Sequence, residues 1–200
     1  MALPAGLAGI AHGKMASVVP FSPRDLVEFD RQSEQVKSLI RIASQLTHKK
    51  LGYVYGSNDP GRGGMDCSGT IHHTLTQAGF KSVPRSSFDQ YFWMKRAKTL
   101  REIEGHVPAL SDPVFRDLRP GDLVFWEGTY ETGGRRPAIS HVMLFLGTLN
   151  KDRLPVLFGA SDGRRFRGRS IFGVSAFDFA LPKVGSKSRI VGYAALPGLR

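Results

Sequence analysis

The chain predicts an α+β fold on three observations. Helical patterns occupy its first hundred residues, strand patterns follow residue 118, and its one cysteine opens a helix. That segregation implies a helical lobe packed on an antiparallel sheet. A length of 200 residues with 41% hydrophobic content suits a single core. The expected organisation is an N-terminal extension over residues 1–21 and one domain over 22–200, with an insertion at about 97–116.

The first helix is expected from Ser22-Pro23-Arg24-Asp25, with Ser22 as N-cap and Pro23 in the first turn. Val36, Leu39, Ile40, Ala43 and Leu46 supply its apolar stripe. Tyr53-Val54-Tyr55-Gly56 leads into a loop, 57–64, with three glycines and a proline. The second helix begins near Asp66, carries Ile71, Leu75 and Ala78 on one face, and ends at Gly79. A third starts near Ser86 or Ser87 and buries Phe88, Tyr91 and Phe92. Residues 97–116 have mixed charge and no period. Leu118 to Asp122 then forms a turn around Pro120-Gly121, and strands follow at 123–126, 138–147, 154–160 and 189–196.

Cys67 lies in Met65-Asp66-Cys67-Ser68-Gly69 and has no second cysteine to pair with. At a helix start its sulfur would meet unpaired backbone N–H groups and the positive end of the macrodipole, which favours a reactive thiolate and a lowered pKa. Free cysteine is also commonly a small buried hydrophobe, and placement alone leaves both readings open. His141 lies in an apolar strand pattern some seventy residues later, where stiff backbone would hold an imidazole able to take and return a thiol proton. A strand-end histidine bonded to backbone is the alternative. His72 and His73 follow Cys67 by five and six positions, about 140° and 120° around the helix, and cannot face it. His12, His48 and His106 fall in unpatterned or loop-like surroundings.

No metal site is expected, since the chain lacks H-E-x-x-H and has one cysteine. The net charge of +11 implies an anionic partner: nucleic acid, an anionic membrane surface or an acidic wall polymer. No helix–turn–helix, zinc-finger or aromatic RNA-binding signature accompanies it, which argues against nucleic acid. No apolar run is long enough for a transmembrane helix. Met1 to Ile10 is apolar but short and lacks the basic start of a secretory signal.

Five pieces occur in the order found in the NlpC-type cell-wall cysteine peptidases, a papain-like family that the chain resembles over roughly 36–196. They are Tyr53-Val54-Tyr55-Gly56, Asp66-Cys67-Ser68-Gly69, Pro84-Arg85-Ser86, Leu118-Arg119-Pro120-Gly121-Asp122-Leu123-Val124-Phe125-Trp126, and Ser140-His141-Val142 with Leu146-Gly147 after it. The resemblance implies hydrolysis of amide bonds in peptidoglycan stem peptides, commonly between D-glutamate and a diamino acid. By that analogy Cys67 attacks through a thioester, His141 acts as base and then acid, and the Tyr53 hydroxyl supports the oxyanion with the Cys67 N–H. Asp66 would bind a free stem amine or simply cap its helix, while Ser68, Arg85 and Ser140 would line subsites. The implied partners are stem peptides and anionic wall polymer, the setting is periplasmic or secreted, no cofactor is needed, and a monomer is expected.

One departure stands out. The family supplies a polar residue after the histidine strand to orient the imidazole, and here Phe158-Gly159-Ala160-Ser161 puts Gly159 at that place. Asp162 is the expected substitute, with an Asp162-Gly163 turn as its ordinary alternative. The departure keeps two other functions open: an inactive wall-binding module, and a thiol amidase or acyltransferase on the same scaffold.

Overall fold

The computed structural model describes residues 15–199, so the apolar start at Met1 to Ile10 lies outside the described residues. Helices α1 (Glu34–His48), α2 (Cys67–Gln77) and α3 (Ser87–Arg96) precede most of the sheet. The strands are β1 (Gly52–Tyr53), β2 (Gly64–Met65), β3 (Leu100–Glu102), β4 (Leu123–Glu127), β5 (Ile139–Thr148), β6 (Pro155–Ser161), β7 (Arg165–Phe166), β8 (Arg169–Ser170), β9 (Gly173–Asp178) and β10 (Arg189–Ala194). A six-stranded sheet runs in the order β3-β10-β4-β5-β6-β9, antiparallel throughout. The α+β architecture expected from the sequence is the one observed.

Both faces of the sheet are covered, which is why its central strands read as continuous apolar runs. Val142, Leu144, Phe158 and Ala160 face Ile71 and Leu75 of α2 and Leu39 and Ile40 of α1. Met143, Phe145, Leu157 and Trp126 pack instead with Phe115, Phe177 and Phe179. Each such side chain contributes about 2 kcal/mol of burial, so β5 is held from both sides. The segment expected as an insertion supplies the edge strand β3 and, through Ile103 and Phe115, part of the second layer.

The expected first helix divides. Ser22 caps only a short 3-10 turn, Pro23–Asp25, and α1 starts at Glu34 behind a second cap, Ser33, whose Oγ accepts from the Val36 N–H at 3.4 Å. The reason is tertiary. Leu26 is extended and bridges Leu149, and Leu26 and Phe29 are both buried, so the core captures this stretch before a helix can continue through it. Residues 15–21 lie along β9, with a bridge from Ser17 to Phe172 and the Val19 N–H donating to Ser175 Oγ at 2.7 Å.

Candidate active site

The start of α2 is fixed by Asp66. Its Oδ1 accepts from the Gly69 N–H at 2.6 Å, as an N-cap should. The same carboxylate accepts the Gly56 N–H at 2.8 Å, the Ser68 hydroxyl at 3.3 Å and two Arg85 nitrogens at 3.1 and 2.8 Å. A carboxylate offers about four acceptor positions, so this one is saturated. Asp66 is therefore a cap and an ion-pair partner, and the expected contact to a stem amine meets a position that Arg85 already holds. Arg85 also donates to Ser68 Oγ at 3.0 Å, and Gln90 Nε2 ties the Ser68 carbonyl to the Pro84 carbonyl at 3.0 and 2.9 Å.

Gly69 completes this end. A Cβ there would lie 2.1 Å from the Ser57 carbonyl oxygen, so only glycine lets the helix start press against the 57–64 loop. The result is a Cys67 that is buried at 6% exposure, with its sulfur beside the backbone N–H groups of Ser68 and Val142. Val142 directly follows His141, so α2 brings the thiol against the histidine strand.

The electrostatics reverse one expectation. Burial, and then the Asp66 carboxylate, push the Cys67 thiol up to about 11, outweighing the two N–H groups and Arg85 that pull it down. A helix N-terminus stabilises a thiolate by a modest amount, whereas removal of water and a carboxylate one residue away act more strongly. Burial thus favours the neutral thiol at rest.

His141 reaches its place through a β-bulge. Trp126 pairs with His141 and Glu127 with Ile139, which leaves Ser140 as the extra residue. Ser140 is fully buried and accepts from the Thr129 N–H at 3.0 Å and the Thr129 hydroxyl at 2.7 Å, so it anchors the 128–137 connector. The imidazole packs on Trp126 with ring centroids 5.6 Å apart, and burial, then Arg164, hold its pKa well below the usual range. Arg164 Nε donates to His141 Nε2 at 3.3 Å while its guanidinium lies 4.3 Å from the Trp126 ring centroid. Among the described residues no hydrogen bond joins Cys67 to His141.

Asp162 does not hold the imidazole. It is exposed on the turn after β6, where Ser161 Oγ accepts from the Gly163 and Arg164 N–H groups at 3.3 and 3.2 Å, and Arg164 is the residue that turn delivers. A Cβ on Gly159 would meet Met143 at 3.2 Å, so a methionine fills the space beside it. Arg164 carries no local signal in the sequence, because its place comes from a turn and a bulge that bring residues 23 apart together.

His141, Tyr53, Ser140, Asp162 and Arg164 line one open cleft of about 1130 Å³, along with Tyr55 and Tyr130. Burial raises the Tyr53 pKa, and Cys67 and Asp66 raise it further, so the phenol stays a hydrogen-bond donor at the thiol's side of the cleft. Among the described residues no group of three or more His, Cys, Asp or Glu side chains could hold a metal ion.

Residues 50–152 match the sequence model of the NlpC/P60 family. The chain belongs to the NlpC/P60 family. It is 30% identical over 105 residues to a gamma-DL-glutamyl hydrolase of Bacillus subtilis, covering 52% of this chain and 20% of the relative. It is also 30% identical over 102 residues to the bifunctional muramidase/DL-endopeptidase CwlT of the same organism, covering 51% of this chain and 24% of the relative. The chain thus spans about a quarter or less of the length of these curated relatives. A solved NLP/P60-family protein of Staphylococcus aureus, similar to a lipoprotein, superposes with a TM-score of 0.50 at 22% identity over 90% of this chain and 43% of that one. Within the NlpC/P60 fold, this member combines the Asp66-Cys67-Ser68-Gly69 helix start with an arginine on its strand histidine.

Proposed function

We propose that this chain is a cysteine peptidase of bacterial cell-wall peptidoglycan, cutting stem-peptide amide bonds at a γ-D-glutamyl carbonyl. The observation that carries the reading is the meeting of the α2 start with β5: Cys67 Sγ lies at the Val142 N–H, one residue from His141, which lines the cleft together with Tyr53. Family membership and the two hydrolase relatives support the reaction class.

In this reading His141 takes the Cys67 proton as the sulfur attacks the scissile carbonyl carbon. Negative charge then develops on the carbonyl oxygen, where the protonated Tyr53 hydroxyl and the Cys67 N–H donate, each such donor being worth about 3 kcal/mol. His141 returns the proton to the departing amine, leaving a thioester. Water, deprotonated by the same imidazole, hydrolyses that thioester and restores the thiol. Ser68 and Arg85 brace the α2 start that carries Cys67 through their bonds to Asp66, and a stem amine would have to compete with Arg85 for Asp66 Oδ2. No described helix is long and apolar enough to cross a membrane, and the substrate itself argues for action outside the cytoplasm. The net charge of +11 favours encounter with anionic wall polymer, weakening as salt screens it.

A second reading, a wall-binding module without turnover, is favoured by the Arg164 contact on His141. Incubation with defined muropeptides followed by mass spectrometry separates the two. The peptidase reading expects one amide bond cut by the wild type and none by Cys67→Ala; binding to sacculi without cleavage would overturn it.

A further inference from the structure

Arg164 presents an arrangement that a simple base would not have. A neutral imidazole has one N–H and one lone pair. Because Arg164 Nε donates to His141 Nε2, the lone pair is at Nε2 and already accepts a hydrogen bond, and the ring proton is on Nδ1. Neither nitrogen can then take a proton from the thiol. The contact is not a salt bridge, and Arg164 has no carboxylate partner among the described residues. Its guanidinium lies on the Trp126 face, lines the cleft, and is desolvated strongly enough to bring its pKa down to about 10. Asp162, two residues earlier, makes no ion pair with it. Arg165 and Lys183 line the same cleft, and Asp178, its other carboxylate, is paired with Arg167.

We propose that Arg164 is a substrate-released stop on His141: a carboxylate of the substrate, seated beside the scissile amide, takes the guanidinium in a two-pronged pair and frees the imidazole lone pair to accept the Cys67 proton. This rests on the peptidase reading above. The ligand class follows from the fork geometry of guanidinium, which suits a carboxylate, and from an unpaired, desolvated cation that gains most from an anion. A γ-linked glutamyl residue carries that group as its free α-carboxylate, adjacent in the chain to the bond to be cut. A stem whose α-carboxylate is amidated would bind without releasing His141. Arg164 is then a specificity-determining residue whose effect falls on turnover more than on binding.

Three measurements on the full chain test this. Histidine tautomer NMR on the wild type should find His141 as the Nδ1–H form with Nε2 unprotonated; the opposite tautomer would overturn the proposal. Cys67 alkylation by iodoacetamide near neutral pH should quicken by about ten-fold or more in Arg164→Ala, and the gain should vanish in Arg164→Ala/His141→Ala. Equal rates in wild type and Arg164→Ala would overturn it, and Arg164→Gln serves if the alanine variant fails to fold. Finally, kcat for γ-D-glutamyl substrates with free and amidated α-carboxylates should differ by about ten-fold or more in the wild type and by no more than about two-fold in Arg164→Gln, with KM little changed. A preference that survives the substitution would overturn Arg164's role while leaving the peptidase reading intact. Hydrolysis retained by Cys67→Ala would instead overturn the peptidase reading.

Discussion

The two halves of the site are built to different standards. At the α2 start, one carboxylate gathers two backbone N–H groups, a hydroxyl and both arms of Arg85, and Gln90 braces the same turn from α3. At the histidine, a bulge sets the backbone and a single 3.3 Å bond from Arg164 holds the ring's acceptor nitrogen. The first half is over-determined and therefore rigid. The second has one exchangeable contact, so it is where a substrate can change the chemistry. In the proposed mechanism, a fixed Cys67 beside an adjustable His141 would keep the pair neutral and unreactive until substrate arrives.

The largest expected effect removes the reacting atoms themselves. Cys67→Ala and His141→Ala should each lower turnover on muropeptides by about 10⁴-fold or more, read from product formation, if the two act as one unit. Neither change should unfold the domain.

Asp66→Ala tests the rigid half. It removes the cap of α2 and strands Arg85, and should cost about 2–4 kcal/mol in denaturant unfolding. Asp66→Asn keeps the cap but not the ion pair, and should cost about 1 kcal/mol. Equal losses in the two variants would mean that the ion pair with Arg85, not the cap, carries the effect. Gly69→Ala should follow at about 1–3 kcal/mol, because its Cβ would press on the Ser57 carbonyl and the loop must give way.

The smallest expected effect comes from His141 as a buried neutral group. Its folded pKa lies below its ordinary value of 6.5, so its stabilising contribution is fully present above 6.5 and is lost as pH falls toward the folded value. Melting temperature should therefore decline on acidification below that point, and His141→Gln should flatten the decline. An unchanged slope would assign the acid sensitivity to other groups.

The contrast between the halves also decides how much could be read from sequence. The start of α2 at Asp66 and Cys67 is legible because a capping residue ahead of a helical pattern is a local signal, whereas the close approach that requires Gly69 appears only once the 57–64 loop is in place. Strands β4, β5, β6 and β10 are legible from their apolar runs. Strand β9 is not legible because Gly173 and Ser175 interrupt its apolar pattern, although Ser175 is fully buried. The start of α1 is not legible because Ser22 and Pro23 cap a 3-10 turn as well as a helix, and only the bridge from Leu26 to Leu149 decides between them. The lowered thiol pKa expected at a helix start failed because burial cannot be read from a tetrapeptide. Asp162 was the reasonable substitute for Gly159 by charge, yet the turn at Ser161 exposes it and presents Arg164 in its stead.

The most direct test of a resting site that holds thiol and imidazole neutral is the pH dependence of Cys67 alkylation in the wild type without substrate, followed by mass spectrometry. The account expects a midpoint near 11, where burial places the thiol. A midpoint at or below about 8.5, the value of a free cysteine, would mean that a thiolate–imidazolium pair already exists at rest and would contradict it.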